Sequence, residues 1–158
     1  MAEQIYQDLY RIKIPLPDSP LKYLNSYIIK GSPRNLIVDT GLNREECKTA
    51  MLDGLKELNI DLETADIFIT HFHADHFGLV GELVTKNTRV YFNRPDKERI
   101  EHWEGFEPMI AHAAKNGFPE NMLRSALKQH PGFKYGTDWI PSLNILNDEV
   151  PIGMSSLF

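Results

Sequence analysis

The first part of the chain shows the two-residue period of β-strands. From Tyr10 to Leu16, apolar residues alternate with polar residues or proline, which predicts a half-buried strand, and Pro15 places it at a sheet edge or near its own end. Residues 25–30 and 36–39 are apolar runs that flank the turn-forming residues 31–35, and they predict a hairpin. The chain is therefore expected to begin with strands that pair locally.

A helical period replaces this alternation at residues 44–58. Asn43 is the candidate N-cap, the first turn is acidic, and one helix face is apolar, formed by Cys47, Met51, Leu55 and Leu58. On that face the lone cysteine of the chain is expected to be a small core residue and not a nucleophile. Residues 66–70 then form a short apolar run without alternation, as expected of a central strand covered on both faces.

Residues 36–70 therefore predict one βαβ unit. Its crossover is expected to be right-handed with parallel strands, so that Asp39 and His71 lie at the same carboxyl edge of the sheet. Open α/β sheets bind their ligands at that edge. A helix predicted at residues 77–86 and a strand at residues 89–92 form a second unit of the same kind.

Short helices separated by breakers are predicted for residues 93–136. The helix starts and stops are marked by Pro95, Pro108 and Pro119, and by Gly105, Gly117 and Pro131-Gly132, respectively. Two interpretations are open: a helical lid that lines a substrate pocket, or a helical layer packed on the sheet. A strand at residues 143–146, a turn, and the start of another strand at residues 150–153 complete the pattern.

Composition limits the class of protein. With 158 residues, 42% apolar and 25% charged, the chain is expected to form one ordinary globular domain. It has no apolar run long enough to span a membrane, and its first residues lack a secretory pattern, so we expect a cytoplasmic protein. The net charge of −5 gives no general attraction to nucleic acid or to anionic membranes, which weighs against a nuclease.

The candidate chemistry lies in residues 70–78, which contain three of the six histidines. If the chain is extended at His71 and His73, both imidazoles project to one side and can face one ion. Asp75 and His76 follow where the chain turns into a helix, and can reach a second ion or the same one. Imidazole nitrogens with a carboxylate suit Zn²⁺, with Mn²⁺ or Fe²⁺ as substitutes.

Each of these residues also has a simpler interpretation. Asp75 would serve as the N-cap of the following helix, and a single histidine beside a strand is usually an ordinary polar residue. Taken together, however, the four residues favour a metal site. The remaining histidines, His102, His112 and His130, belong to no such cluster and are interpreted as surface or pocket-wall residues.

Three features of the sequence together resemble the metallo-β-lactamase-fold hydrolases. These are Leu36-Ile-Val-Asp39-Thr40-Gly41, the apolar strand that leads into Thr70, and His71-x-His73-x-Asp75-His76, in the order and separation that this family uses. Residues 147–153 also resemble the short hairpin that precedes the family's next histidine motif. Because position 73 is histidine and not glutamate, the chain is more similar to the zinc hydrolases than to the flavodiiron branch.

The resemblance implies an α/β (α+β) fold, the αββα sandwich, of which this chain would form mainly the N-terminal half, a mixed sheet with helices packed on it. Residues 1–158 would be a single domain that is incomplete at its C-terminus, with residues 93–136 as a helical insertion or lid. It also implies a ligand set for one or two zinc ions. His71 and His73 would hold the first zinc, Asp75 and His76 the second, and Asp39 would support the site from behind these ligands.

The family completes its site with downstream ligands that this sequence lacks: a third histidine, a bridging aspartate and a final histidine. His130 is not assigned as the third histidine, because residues 129–133 precede the expected strand pair and lack the histidine-bearing glycine loop. The chain therefore resembles the N-terminal part of a longer hydrolase.

The expected function is metal-dependent hydrolysis of a small-molecule ester, thioester, lactone, lactam or phosphodiester by a metal-bound hydroxide that Asp75 orients. Two alternatives are open. One is an iron-dependent oxygenase of sulfur compounds on the same fold. The other is a truncated, non-catalytic metal-binding domain that covers its open sheet with a partner or in a homodimer.

Overall fold

A computed structural model describes residues 1–102, 105–136 and 140–146. The strands of these residues are β1 (Ala2–Tyr6), β2 (Leu9–Pro15), β3 (Tyr23–Ile29), β4 (Asn35–Val38), β5 (Ala65–Phe68), β6 (Val90–Asn93) and β7 (Leu143–Leu146). The helices are α1 (Glu45–Glu57), α2 (Ala74–Phe77), α3 (Val80–Leu83), α4 (Arg94–Glu101), α5 (Glu107–Lys115), α6 (Glu120–Gln129) and α7 (Pro131–Lys134).

The strands form one mixed sheet in which the order across the sheet is the order along the chain. Strands β1 to β4 are antiparallel neighbours, whereas β4 to β7 are parallel neighbours. The predicted hairpin (β3 and β4) and both βαβ units are therefore confirmed, as is the fold class. None of the helices in the described residues is long and apolar enough to cross a membrane.

The core lies on one face of this sheet. Alternate sheet residues such as Ile12, Ile28, Ile37 and Ile67 are buried there against Met51 and Leu55 of α1. Each such side chain contributes about 1.5–3 kcal/mol by leaving water. Helix α1 approaches β2 closely because Gly54 has no side chain, since a Cβ there would lie 2.5 Å from Cδ1 of Ile12. Cys47 is buried on the same helix face, so its predicted core role is confirmed.

One predicted helix is wrong. Residues 77–86 do not form a continuous helix, and the two short helices α2 and α3 take its place. The helix breaks because the amide of Leu79 does not donate within its own helix. It donates instead to the carbonyl of Gly41 in the loop after β4 (2.9 Å). Gly78 permits this approach, since a Cβ there would lie 2.4 Å from the carbonyl oxygen of Ala74 and 2.8 Å from that of Gly41.

Two smaller differences concern backbone partners. The N-cap of α1 is Arg44 and not Asn43, whose amide instead donates to the carbonyl of Tyr135 (2.9 Å). Strand β1 was not predicted, because most of its residues are exposed and it therefore lacks an apolar period. It is an edge strand that pairs with β2 through its backbone.

Helices α4 and α5 begin as predicted, with Pro95 and Pro108 in their first turns, and Pro119 is the N-cap of α6. The helix stop predicted at Pro131-Gly132 is wrong, because α6 already ends at Gln129 and these two residues begin α7. Gly117 ends α5 with a left-handed backbone (φ 88°). The lid interpretation of residues 93–136 stays a prediction. Strand β7 is confirmed, and the turn and strand predicted at residues 147–153 lie outside the described residues.

Candidate metal centre

The two chain segments that carry the candidate site leave neighbouring parallel strands at the same edge. Val38, the last residue of β4, pairs with Phe68, the last residue of β5. Asp39 follows β4 directly, with a left-handed backbone (φ 62°) that aspartate tolerates better than most residues. The side chains from Thr70 to His76 follow β5 and lead into α2. The sequence prediction that Asp39 and His71 share the carboxyl edge is thereby confirmed.

Asp39 is buried and accepts three kinds of donor. Its carboxylate receives the amide of Thr70 (2.8 Å), the hydroxyl of Thr70 (2.8 and 3.0 Å to the two oxygens) and Nδ1 of His76 (2.8 Å). Because a carboxylate only accepts, Nδ1 of His76 carries a proton, and in the neutral ring Nε2 has the lone pair. Burial lowers the pKa of His76, but the hydrogen bond and charge of Asp39, together with the charge of Asp75, outweigh burial and raise it.

The hydroxyl of Thr70 fixes the second histidine. It has one proton, which it donates to Asp39, so towards Nδ1 of His71 at 3.0 Å it acts as the acceptor. Nδ1 of His71 therefore carries a proton, and its Nε2 has the lone pair, which faces Nδ1 of His73 at 3.0 Å. Burial lowers the pKa of His71, and the neighbouring His76 and His73 add to that effect, which favours the neutral ring that binds metals.

The predicted ligands are brought together as two pairs. Nε2 of His71 lies 3.0 Å from Nδ1 of His73, and Nε2 of His76 lies 3.7 Å from Oδ2 of Asp75. The rings of His71 and His76 connect the pairs, with centroids 4.0 Å apart. Two ligands of one tetrahedral zinc, each about 2.0–2.1 Å from the ion, lie roughly 3.3 Å apart, between these two separations. In donor chemistry and spacing, each pair fits part of a zinc ligand set.

Neither pair fits a whole ligand set. Across residues 1–102, 105–136 and 140–146, no group of three or more His, Cys, Asp or Glu side chains is placed so that it could hold a metal ion. A catalytic zinc commonly has three protein ligands and a structural zinc four. The four ligand assignments and the supporting role of Asp39 therefore remain predictions.

The alternative role of Asp75 as a helix cap is wrong. The N-cap of α2 is His73, which makes no side-chain capping bond, and Asp75 lies in the first turn. The histidines outside the cluster are all exposed. His102 is the C-cap of α4, His112 contacts the amide of Asn116 (3.4 Å), and His130 accepts from the amide of Gly132 (3.1 Å).

Sequence reasoning missed two residues that contact the histidine loop. The amide of Phe72, between the first two predicted ligands, donates to Oδ2 of Asp96 (2.9 Å), and the side-chain amide of Asn93 donates to the carbonyl of Thr70 (3.2 Å). Asn93 is the last residue of β6, and Asp96 lies in the first turn of α4. The sequence did contain one signal for these residues. The spacing Asn93-x-x-Asp96 directly after a strand is typical of a helix N-terminus.

Comparison with known proteins gives consistent results. The metallo-beta-lactamase superfamily model matches residues 21–149. An atrochrysone carboxyl ACP thioesterase of Passalora fulva is 32% identical over 116 residues, which cover 67% of this chain and 33% of that protein. A lactamase-like protein of Penicillium aethiopicum is 30% identical over 81 residues, 49% of this chain and 26% of that protein.

Solved structures show the same fold. A metallo-beta-lactamase family protein of Thermus thermophilus has a TM-score of 0.72 at 24% identity, covering 92% of this chain and 48% of that one. A beta-lactamase domain protein of Burkholderia ambifaria has a TM-score of 0.69 at 19% identity, covering 96% and 46%. The chain thus spans about half the length of these structures, and 26% and 33% of the two curated relatives.

Proposed function

Because this chain belongs to the metallo-beta-lactamase superfamily, we propose that it provides the histidine loop of a zinc-dependent hydrolase. His71 and His73 hold one ion in this proposal, and Asp75 and His76 hold a second. The observation that carries it is the 3.0 Å approach of Nε2 of His71 to Nδ1 of His73, two nitrogens of the kind that zinc prefers. Iron or manganese is the alternative metal for the same donors.

A metal held by these residues would supply a water of lowered pKa and would polarise the bond under attack. The residues of this chain prepare the ligands. Asp39 and Thr70 keep protons on Nδ1 of His76 and His71, so that the Nε2 atoms present lone pairs to one side. The carboxylate of Asp75, 3.7 Å from Nε2 of His76 and 27% exposed, is the group that accepts a proton and orients the attacking water.

Further ligands are needed, because each donor pair supplies only two. In this proposal they come from protein outside the described residues, which accords with relatives that are two to four times longer than the matched stretch. The substrate is a small molecule, and the thioesterase among the relatives supports a thioester in particular. We propose the cytoplasm as the location of the protein. Within the described residues, the helices are too short or too polar to cross a membrane.

The test measures the rate at which the full-length natural protein, loaded with zinc, hydrolyses a panel of model esters and acyl thioesters. Asp75→Asn is expected to lower the rate by at least about 100-fold, the usual contribution of a general base. Asp53→Asn, an equal change at an exposed position of α1, is the matched control and should leave the rate unchanged. Full activity in Asp75→Asn contradicts the assignment, and bound iron with oxygen uptake would favour the oxygenase interpretation instead.

A second candidate, a non-catalytic metal-binding domain that self-associates, is supported by the other face of the sheet. Tyr27, Val38, Phe68 and Tyr91 pair in register across β3 to β6 and are each half-buried, whereas Ile28, Ile37, Ile67 and Val90 beside them are buried. Half-buried apolar side chains in one row are a surface on which a second copy can pack. Light scattering distinguishes the candidates: a dimer without turnover at any zinc loading favours this one.

A further inference from the structure

We infer that Asn93 and Asp96 are positioning residues that fix His71 and His73 relative to each other. They form a bracket, defined here as these two side chains at the start of α4, that binds the backbone on both sides of His71. The inference rests on the proposed function insofar as the two histidines are metal ligands. The contacts of the bracket stand independently of any metal.

The bracket holds the histidine loop at two backbone groups. The carboxylate of Asp96 accepts the amide of Phe72 (2.9 Å), and the side-chain amide of Asn93 donates to the carbonyl of Thr70 (3.2 Å). These groups lie on either side of the backbone of His71. Fixing both of them restricts the rotation of the peptide units that set the direction of the His71 side chain.

The bracket is itself rigid. Oδ1 of Asn93 accepts the amide of Asp96 (2.9 Å) as the N-cap of α4, and Nδ2 of Asn93 donates to Oδ2 of Asp96 (3.2 Å). Arg99 lies 3.8 Å from the other carboxylate oxygen of Asp96, whose side chain is 14% exposed. A largely buried carboxylate that accepts from the side chain of the capping residue, with its own amide bound by the same residue, has little freedom to follow a moving loop.

Aromatic packing restrains the side chain of the same residue, Phe72. The ring of Phe72 contacts the buried rings of Phe77 and Phe92, with centroid separations of 5.0 and 6.4 Å. Phe72 is 37% exposed, but its amide is bound by Asp96 and one side of its ring lies on the core, so it is an anchored residue between the two imidazoles. The extended chain expected at His71 and His73 is wrong, because the amide of His73 donates to the carbonyl of His71 (3.0 Å) and the chain turns tightly at Phe72. This turn, together with the anchored amide of Phe72, brings the nitrogens of the two imidazoles to within 3.0 Å of each other.

Three variants separate the hydrogen bond from the charge. Asp96→Ala removes both, Asp96→Asn removes the charge and keeps an acceptor oxygen, and Glu98→Ala removes a charge from an exposed position of the same helix. Circular dichroism establishes that each variant keeps its helices. The measurements are amide hydrogen exchange at Phe72, the nitrogen NMR signals of the His71 and His73 rings, and Zn²⁺ affinity by competition with a chelator.

In Asp96→Ala we expect the amide of Phe72 to lose protection, the ring signals of His71 and His73 to shift, and Zn²⁺ affinity to fall by about 10–100-fold, the range for residues that orient metal ligands. Asp96→Asn should retain most of the protection and lie within a few-fold of the native affinity, and Glu98→Ala should match the native protein.

Unchanged protection and unchanged ring signals in Asp96→Ala overturn the inference, as does an equal loss in Asp96→Asn and Asp96→Ala, which would indicate charge alone. If the native protein fails to bind Zn²⁺, the proposed function is wrong. The exchange and ring signals still decide whether the bracket positions the two histidines.

Discussion

Nδ1 of His76 lies 2.8 Å from Oδ2 of Asp39, and this contact joins helix α2, which follows β5, to the residue that directly follows the parallel strand β4. Asp39 also accepts the amide and hydroxyl of Thr70, which in turn contacts His71. One buried carboxylate therefore sets the proton positions of two predicted ligands. The contact supports a division of roles in which the loop provides the ligands and the neighbouring strand orients them.

Asp39→Asn tests that division. The amide has nearly the same volume but lacks the charge and one of the two acceptor oxygens that receive Thr70 and His76. We expect Zn²⁺ affinity to fall by about 10–100-fold. Asp53→Asn on the exposed side of α1 is the control, and equal affinities in the two variants would show that Asp39 does not support the site.

Thr70→Val tests the proton placed on His71. Valine keeps the shape of threonine and removes the hydroxyl that accepts from Nδ1, so the ring of His71 is free to carry its proton on either nitrogen. Nitrogen NMR should show a mixture of the two neutral forms in the valine variant and the Nδ1-protonated form in the native protein. Thr70→Ser, which restores the hydroxyl, should recover the native signals, and an unchanged spectrum in Thr70→Val would disprove the assignment.

The amino end of β5 carries a separate ion cluster that is expected to govern stability in acid. Asp66 is buried, and its oxygens accept Nε of Arg34 (3.0 Å) and Nε of Arg89 (2.9 Å). Burial raises the pKa of Asp66, but the hydrogen bonds of Arg89 and Arg34 outweigh burial and lower it below the ordinary 3.8. The unfolded chain therefore takes up the proton at a higher pH than the folded chain does.

This contribution to the free energy of unfolding is complete above about pH 4 and is lost as the pH falls through the lowered pKa. Asp66→Ala should cost about 3 kcal/mol at pH 7, the lower end for breaking a buried pair, because the two arginines can be rehydrated. Denaturant unfolding between pH 7 and pH 2 measures both effects. The variant should show a shallower loss of stability below about pH 4 than the native protein, and parallel curves would contradict the account.

Gly78→Ala is expected to destabilise the protein without touching a ligand side chain. The added Cβ meets backbone atoms of Ala74, Gly41 and Asn43 at 2.4–2.8 Å, and none of these is a flexible side-chain end. Overpacking of this kind costs about 1–3 kcal/mol. Thermal unfolding measures it, with Ser125→Ala on the exposed side of α6 as the control. Equal melting temperatures would mean that α2 can move away from the loop after β4.

The local pattern of the sequence was sufficient to predict the pairing of β3 to β6 and the sheet edge at which the site lies. Asp39 and His71 were placed together because the apolar runs around them fixed a βαβ unit, and the handedness of that unit is nearly invariant. The four candidate ligands were expected to be close because they are close in sequence. Their division into two pairs depends on ring rotations that spacing does not determine.

Apart from β1, which lacks an apolar period, the main missed features depend on contacts between residues that are distant in the sequence. The break after Phe77 follows from the bond between Leu79 and Gly41, and the bracket follows from the bond between Phe72 and Asp96. No periodicity in the sequence encodes such pairs. Such contacts form only in the folded sheet, where the segments that follow β4, β5 and β6 meet at one edge.

The central claim, that His71 and His73 are metal ligands, is tested most directly by titrating the dialysed protein with Zn²⁺ and comparing it with a His71→Ala/His73→Ala variant. We predict that the native protein binds Zn²⁺, that the double variant loses this binding, and that His112→Ala, at an exposed position of α5, binds as the native protein does. Equal binding by all three proteins, or binding by none, would contradict the claim.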